Sequence, residues 1–470
     1  MLAARCAARQ VRVAAWRRPW NDGSVTEALQ HLIRAMHASP TMLVYEFAGA
    51  GSQALAWLHA VGGSSRTVLE AVDRYAAGSL EEAVTDPDGA GRAASGDGAS
   101  GDGASGGGPP RRWSSVNATA AQLVSPDMAS AQAVSPEVAA ALAHRAALRA
   151  RALAPEGVAV IGVGCTATIA TDRRKRGEHR AFVAVEGALG RHSSALTLRK
   201  GERDRDAEER LVSTLVVHAA ASGCGVLHRR RLALREGEAL EETFEPAAPL
   251  AELLAGRREH VALTPAGELR TGLPWPSGGI AIVPGSFNPL HEGHLGLAAA
   301  AQAHVGRPVA FELAPRNAEK PTLEHLELYR RATQFQGHAP LLMTGVALFS
   351  HKAALYPGSV FVLGVDTAAR VLMPRYYPSE HDRDTALSLV RKHGSRFLVA
   401  GRRLPGEAGG ARVGPGRPTK EAAMRFVTLA DLDVPQAHAD LFEALPEGAF
   451  RADVSSSLIR ERWDRSGVDA

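Results

Sequence analysis

His291 and His294 stand three residues apart in the stretch GSFNPLHEGHLGL, Gly285 to Leu297, directly behind the apolar run IAIV. A strand that ends in a glycine-led turn and feeds a helix aims free backbone N–H groups and the positive end of a helix dipole at one point, which favours an anion. Glycine lets the chain approach closely. At positions i and i+3 of a first helical turn the two imidazoles share a face, so both can point at the same phosphate. Two donors there suit the charge that develops on phosphorus during group transfer, and no nucleophilic side chain is needed. A coincidence of two histidines at a helix start is one alternative, and a metal pair is another. Helical zinc pairs are spaced i and i+4, whereas only Glu292 and Gly293 intervene here, and no third ligand is evident.

The surrounding elements must hold that turn in place. Beyond about residue 278 the strand candidates are IAIV (280 to 283), VAFEL (309 to 313), VFVLGVD (360 to 366), RFLVAGR (396 to 402) and RFVTLAD (425 to 431), separated by helical stretches. Strand and helix in alternation is the signature of a parallel, doubly wound sheet. Ligands in such folds sit at the carboxyl ends of strands, where GSFNPLHEGH, GVD and the late VSSSLIR would project.

The first half is organised differently. TDPDGAGRAASGDGASGDGASGGGPP, Thr85 to Pro110, repeats GDGAS and has almost nothing to bury, so residues 85–110 are expected to be a flexible insert. Before it the strand candidate TMLVYEF precedes GAG and the helix-like AGSQALAWLHAV; after it come alanine-rich helical stretches, then VAVIGVG and AFVAVEG. This half reads as one α/β domain over residues 23–230 interrupted by the insert. Residues 231–277, which mix acid, proline and glycine, are expected to be a linker to a second domain at 278–470.

Composition narrows the function classes. At 470 residues the chain is too long for one ordinary core, and 45% hydrophobic against 22% charged residues is globular. A net charge of +4, from 54 Lys and Arg against 50 Asp and Glu, is too balanced to argue for nucleic acid without a clustered patch, and DRRKRGEHR (Asp172 to Arg180) reads as a solvated loop. Cys6, Cys165 and Cys224 are odd in number and far apart, so neither a disulfide framework nor a CxxC metal site is available and a reducing compartment is expected. No apolar run is long enough to span a membrane, so no membrane partner is expected. The first twenty residues carry five arginines and no acid but no Ser or Thr. They are either a targeting segment, assigned to 1–22, or a product of compositional bias. The compartment is the cytoplasm in the second case and a mitochondrion or plastid in the first.

GSFNPLHEGH resembles the GxFNPxHxGH signature of the nucleotidylyltransferase superfamily, especially the nicotinamide and nicotinate mononucleotide adenylyltransferases. DVSSSLIRER, Asp453 to Arg462, resembles their ISSTxxR motif, with Val454 for Ile and Ser457 for Thr. GVD, Gly364 to Asp366, resembles their GxD, and NAEKP, Asn317 to Pro321, a further family segment. The resemblance covers about 278 to 465 and implies a Rossmann-like doubly wound sheet of the HxGH type. It implies that AMP passes from ATP, carried with Mg²⁺, to a pyridine mononucleotide with release of pyrophosphate. His291 and His294 would be catalytic. Gly285, Ser286, Phe287, Asn288, Lys320, Gly364, Asp366, Ser455, Ser456, Ser457 and Arg460 would bind nucleotide, Arg460 and the serines holding the β and γ phosphates. Another acceptor such as pantetheine phosphate, a cytidylyl transfer, and a non-catalytic nucleotide-binding or regulatory protein stay open.

The first half resembles the CinA C-terminal family, whose active members deamidate nicotinamide mononucleotide. LVYEFAGAGSQALAWLHAVGGSS stands where that family shows a strand, an ESxTGG turn, a helix and a PGSS element; VDRYAAGSL stands at its YSNxxK, and VAVIGVGCTATIATD at its GxxGPGG. The family's serine nucleophile falls on Phe47, its threonine on Gly49 and its lysine base on Leu80, and Tyr75 alone survives. Amide hydrolysis needs an activated hydroxyl beside a base. The expectation is therefore a CinA-like α/β domain without amidase activity, with Ser52, one helical turn on, too displaced to replace the nucleophile. Its remaining roles would be homo-oligomerisation or holding a pyridine nucleotide. The fusion of two halves that both point at pyridine nucleotides favours that acceptor.

Overall fold

The computed structural model describes residues 25–86, 133–172, 177–229, 232–272, 279–315, 323–405, 424–451, 456 and 459–461. The expected targeting segment 1–22, and the expected insert from residue 87 onward, lie outside them.

The chain builds a mixed α/β architecture on two main sheets. The first uses helices α1 (Glu27–Ala38), α2 (Ser52–Ala60), α3 (Ala77–Thr85), α4 (Pro136–Leu153) and α5 (Arg205–Gly223). Its strands are β1 (Met42–Ala48), β2 (Val68–Asp73), β3 (Val160–Thr168), β4 (His179–Gly187), β5 (Gly190–Leu198) and β6 (Ala239–Pro246). They lie in the order β2-β1-β3-β4-β5-β6, parallel across β2, β1 and β3 and antiparallel from β3 outward. Side chains alternate across it. Leu43, Tyr45 and Phe47 of β1 join Val163 and Cys165 of β3 against α1, α2 and α5, whereas Val44 faces α4. Gly162 and Gly164 let that helix lie on the strand, because a Cβ at either would stand 2.1 or 2.2 Å from an α4 backbone atom. Ser135 caps α4 through a 3.3 Å bond from the Val138 N–H, and Pro136 occupies the first turn, where no amide donor is missed.

The second sheet follows from α6 (Ala248–Leu254), β7 (His260–Leu263), β8 (Leu269–Arg270), β9 (Ala281–Pro284), α7 (Glu292–Val305), β10 (Val309–Leu313), α8 (His325–Thr333) and β11 (Leu341–Thr344). It continues with α9 (Phe349–Leu355), β12 (Val360–Gly364), α10 (Val365–Leu372), α11 (Glu380–Lys392), β13 (Arg396–Ala400), β14 (Arg402–Pro405), β15 (Met424–Val427) and β16 (Phe442–Leu445). The strand order is β16-β13-β12-β9-β10-β11-β7-β8, parallel from β16 to β11, with the β7–β8 hairpin antiparallel on the far edge. Numbered from β9, the parallel strands run 6-5-4-1-2-3, the doubly wound Rossmann order. Ala281 and Val283 face the core shared with α7 and α8, and Ile280 and Ile282 face that of α10 and α11. The sheet is therefore buried on both sides, as parallel strands require.

Four expectations need correction. Residues 231–277 are not a linker throughout, since β6 forms an edge of the first sheet while α6, β7 and β8 belong to the second. RFVTLAD does not join the parallel sheet; its first three residues lie in β15, which pairs antiparallel with β14 in a separate two-stranded sheet, and FEAL, as β16, is the sixth parallel strand. VFVLGVD ends as a strand at Gly364, because Val365 and Asp366 open α10. RFLVAGR breaks at Gly401, where a Cβ would meet the Phe426 ring at 2.7 Å.

Candidate active site

The order reverses between β9 and β12, and the turn after β9 is GSFNPLH. This is the switch point at which doubly wound sheets leave a crevice for ligands. A cavity of about 670 Å³ opens there, with walls that include Gly285, Ser286, His291, His294, Asp366 and Ser456.

The turn is held by its own packing. Phe287 has φ +44, in the left-handed region that only a well-determined environment sustains in a non-glycine residue. Its ring is buried at 1% exposure and meets Phe311, Phe335 and His294 edge-on at 5.0 to 5.4 Å. Phe287 also borders the cavity, so its packed ring forms part of the wall. Gly285 follows from this, since a Cβ there would lie 2.6 Å from that ring. Sequence reasoning missed the clamp supplied by α8. Gln334 accepts from the Leu290 N–H at 2.8 Å and donates to the Phe287 carbonyl at 3.1 Å, while Arg331 donates to the Ser286 carbonyl at 3.1 Å. Glu327 accepts from the Asn288 amide at 3.2 Å and from the Arg331 Nε at 2.7 Å. The opposite side of α8 meets the first sheet, with Tyr329 4.7 Å from Phe244.

The histidines are closer than spacing alone suggests. His291 is the N-cap of α7 rather than part of its first turn, and its ring stacks on that of His294 at 3.7 Å and 23°. The His291 N–H donates to His294 Nδ1 at 3.3 Å, which leaves the His294 proton on Nε2. Burial, then the neighbouring His291 and Arg402, push His294 down to about 3, and burial with Arg402 lowers His291 as well. The two rings are therefore neutral near pH 7, each with one N–H to offer, instead of two cations.

Of the expected site residues in the later motif, Ser456 and Arg460 are described. The Ser456 hydroxyl donates to the Pro289 carbonyl at 3.0 Å, and Arg460 donates to the Asn288 carbonyl. Two motifs far apart in sequence thus meet on one turn, and the arginine holds the loop in addition to any phosphate contact. Gly364 and Asp366 also line the cavity; Asp366 stands in the first turn of α10 with Arg402 at 3.8 Å. Lys320, Ser455 and Ser457 lie outside the described residues. The cavity has further charged walls that the motifs did not indicate, Glu312, Lys352, Arg331 and Arg402 among them. Strand endings alone could have pointed to Glu312, the last-but-one residue of VAFEL.

A second cavity, of about 430 Å³, lies in the first unit, bounded by Phe47, Gly49, Ser52, Tyr75, Asp206 and Glu209 among others. Here β1, a GAG turn and α2 repeat the strand, turn and helix arrangement. The Glu209 carboxylate fills the helix start: it accepts from the Gly51 and Gln53 N–H groups at 3.0 and 3.1 Å and from the Ser52 hydroxyl at 3.0 Å. Phe47 is buried, stacked on Tyr45 at 4.8 Å, and Leu80 packs with Ala83, Val84 and Leu142. Tyr75 is exposed at 72%.

No protein-family model matches the chain. No curated protein matches it. Among solved structures, the competence/damage inducible protein CihA from Agrobacterium tumefaciens aligns at 13% identity over 41% of this chain and 92% of its own, with a TM-score of 0.26. A likeness at that level decides neither family nor activity. No helix among the described residues is long and apolar enough to cross a membrane.

Proposed function

We propose that the second unit transfers AMP from Mg·ATP to a pyridine mononucleotide, releasing pyrophosphate. The observation that carries this reading is the convergence of His291, His294 and the Ser456 and Arg460 segment on one turn at the switch point of the sheet.

In the proposed reaction a phosphate oxygen of the mononucleotide attacks the α-phosphorus of ATP, a new P–O bond forms, and the bond to the β-phosphate oxygen breaks as pyrophosphate leaves. The attacking phosphate is already ionised near pH 7, so no side chain need take a proton from it. The His294 Nε2–H and the N-terminus of α7 meet charge as it grows on the α-phosphate, in a crevice where such donors count for more than in water. A neutral ring still donates from its N–H, so the role does not require a protonated imidazole. Mg²⁺ enters as part of the substrate, held by phosphate oxygens and water. Among the described residues no group of three or more His, Cys, Asp or Glu could hold a resident ion. Lys320, Ser455 and Ser457 belong to the proposal through the resemblance, as does the CinA-like character of the first unit. That unit is proposed to be without amidase activity and to serve in homo-oligomerisation or in holding a pyridine nucleotide.

Pyrophosphate release from Mg·ATP, with nicotinamide and nicotinate mononucleotides offered separately, tests the reading. Release that depends on either acceptor supports it. ATP binding with no release from either overturns the pyridine acceptor, in favour first of another acceptor such as pantetheine phosphate and then of a non-catalytic nucleotide-binding protein.

A further inference from the structure

The wall of the larger cavity carries an ion pair that the proposed transfer does not use. Glu312 Oε2 and Lys352 Nζ are 2.7 Å apart, with side chains 1% and 6% exposed, and the Thr344 hydroxyl donates to the second Glu312 oxygen. Both charged residues line the cavity. Two charges taken out of water are costly, and a hydrophobic pair of equal volume is often as stable, so their place on a ligand-facing wall asks for a chemical reason.

The strand order locates them. Glu312 sits on β10 beside Pro284 in register, one strand from the histidine turn, and its backbone carbonyl accepts from the Gly285 N–H at 3.0 Å. Lys352, on α9, also lies 5.2 Å from the Phe349 ring centre. This β10 to α9 end lies across Gly285 from the β12 end, where Asp366 and Arg402 stand. The cavity runs from His294 to Ala347, Leu348, Phe349 and the buried pair, so a mononucleotide whose phosphate meets α7 can extend its base into the β10 end.

We infer that Glu312 and Lys352 are specificity-determining residues that select an acceptor whose pyridine ring bears a neutral carboxamide over one bearing a carboxylate. The inference rests on the proposed adenylyl transfer. The pair is neutral as a unit. Lys352 uses one of its three N–H donors on Glu312 and keeps others for a carbonyl oxygen, while the carboxylate keeps lone pairs for an amide N–H. A carboxamide matches both. A carboxylate matches only the lysine and meets Glu312 as a like charge, and it receives no net positive charge from a pair already balanced. The pyridinium ring of either acceptor is itself cationic, so Glu312 also shields it from the ammonium.

The test measures kcat/KM for nicotinamide and nicotinate mononucleotide in pyrophosphate release, with the full chain and two variants. The wild type is expected to prefer the amide by about tenfold or more. Glu312→Gln exposes the lysine charge and shifts the ratio toward the acid by about tenfold; Lys352→Met leaves the carboxylate alone and shifts it the other way. Shifts of opposite sign support the inference, and either variant carries the test if the other does not fold. A wild type that prefers the acid, or a ratio that a folded variant leaves unchanged, overturns the inference while the reaction stands. Release with neither acceptor overturns the reaction and the inference together.

Discussion

Two strand, glycine turn and helix units, β1 to α2 and β9 to α7, use their helix starts in opposite ways. At α2 the anion is built in: the Glu209 carboxylate of α5 takes two backbone N–H groups and a hydroxyl at 3.0 to 3.1 Å. At α7 the nearest groups are two stacked imidazoles, and the helix start faces the larger cavity. A helix N-terminus attracts negative charge wherever the fold puts one. Whether that attraction serves stability or a ligand depends on what other elements bring to it.

Breaking the side that faces the larger cavity should have the larger effect. His294→Ala is expected to lower kcat for pyrophosphate release by about 10²- to 10³-fold, the cost typical of losing one donor to a developing oxyanion. The fold should persist, since Phe287 keeps its contacts with Phe311 and Phe335, and a rate within threefold of wild type would remove His294 from the chemistry.

The same residue makes stability depend on acid. An unfolded imidazole takes a proton near 6.5, the folded one only near 3, so in between the unfolded chain binds more protons and stability falls as pH falls. Between pH 7 and 5 this contributes a loss of about 2 kcal/mol, absent from His294→Ala. Urea unfolding followed at both values measures it; equal slopes with pH in the two proteins would contradict the neutral ring.

At the self-filled start the effect is smaller and purely structural. Glu209→Ala should lower unfolding free energy by about 1 to 2 kcal/mol, as lost helix caps do, with pyrophosphate release unchanged. A stability equal to wild type would mean that the carboxylate is not the cap described. The smallest effect sharpens the contrast most. Phe47→Ser, which puts a hydroxyl where the CinA-like family has its nucleophile, should release no ammonia from nicotinamide mononucleotide. Leu80 offers no base, and Glu209 already holds the donors an oxyanion would need. Measurable ammonia would show that the site is less altered than Phe47, Leu80 and Glu209 indicate.

Much of the site was legible because its parts are contiguous. GSFNPLHEGH carries turn, helix start and both histidines within ten residues, and β9, β10, β12 and β13 are apolar runs with clear ends. Other elements were not legible. LLMT and FEAL, as β11 and β16, are four residues each and too short to show a period. RFVTLAD looked like a sheet strand because a pattern of apolar residues does not say which strand will be the partner. The α8 clamp was invisible since Glu327, Arg331 and Gln334 read as the polar face of an ordinary amphipathic helix.

What the sequence by itself determined is local: where strands stop, where glycine admits a close turn, and that two imidazoles sit at a helix start. These follow from dihedral freedom and residue spacing, which act over a few positions. Tertiary structure alone decided that His294 is neutral, that Glu209 fills one helix start, that Ser456 and Arg460 dock on the turn before the other, and that Glu312 meets Lys352 in a cavity wall. Each of those depends on burial and on partners distant in the chain, which no spacing along the sequence encodes.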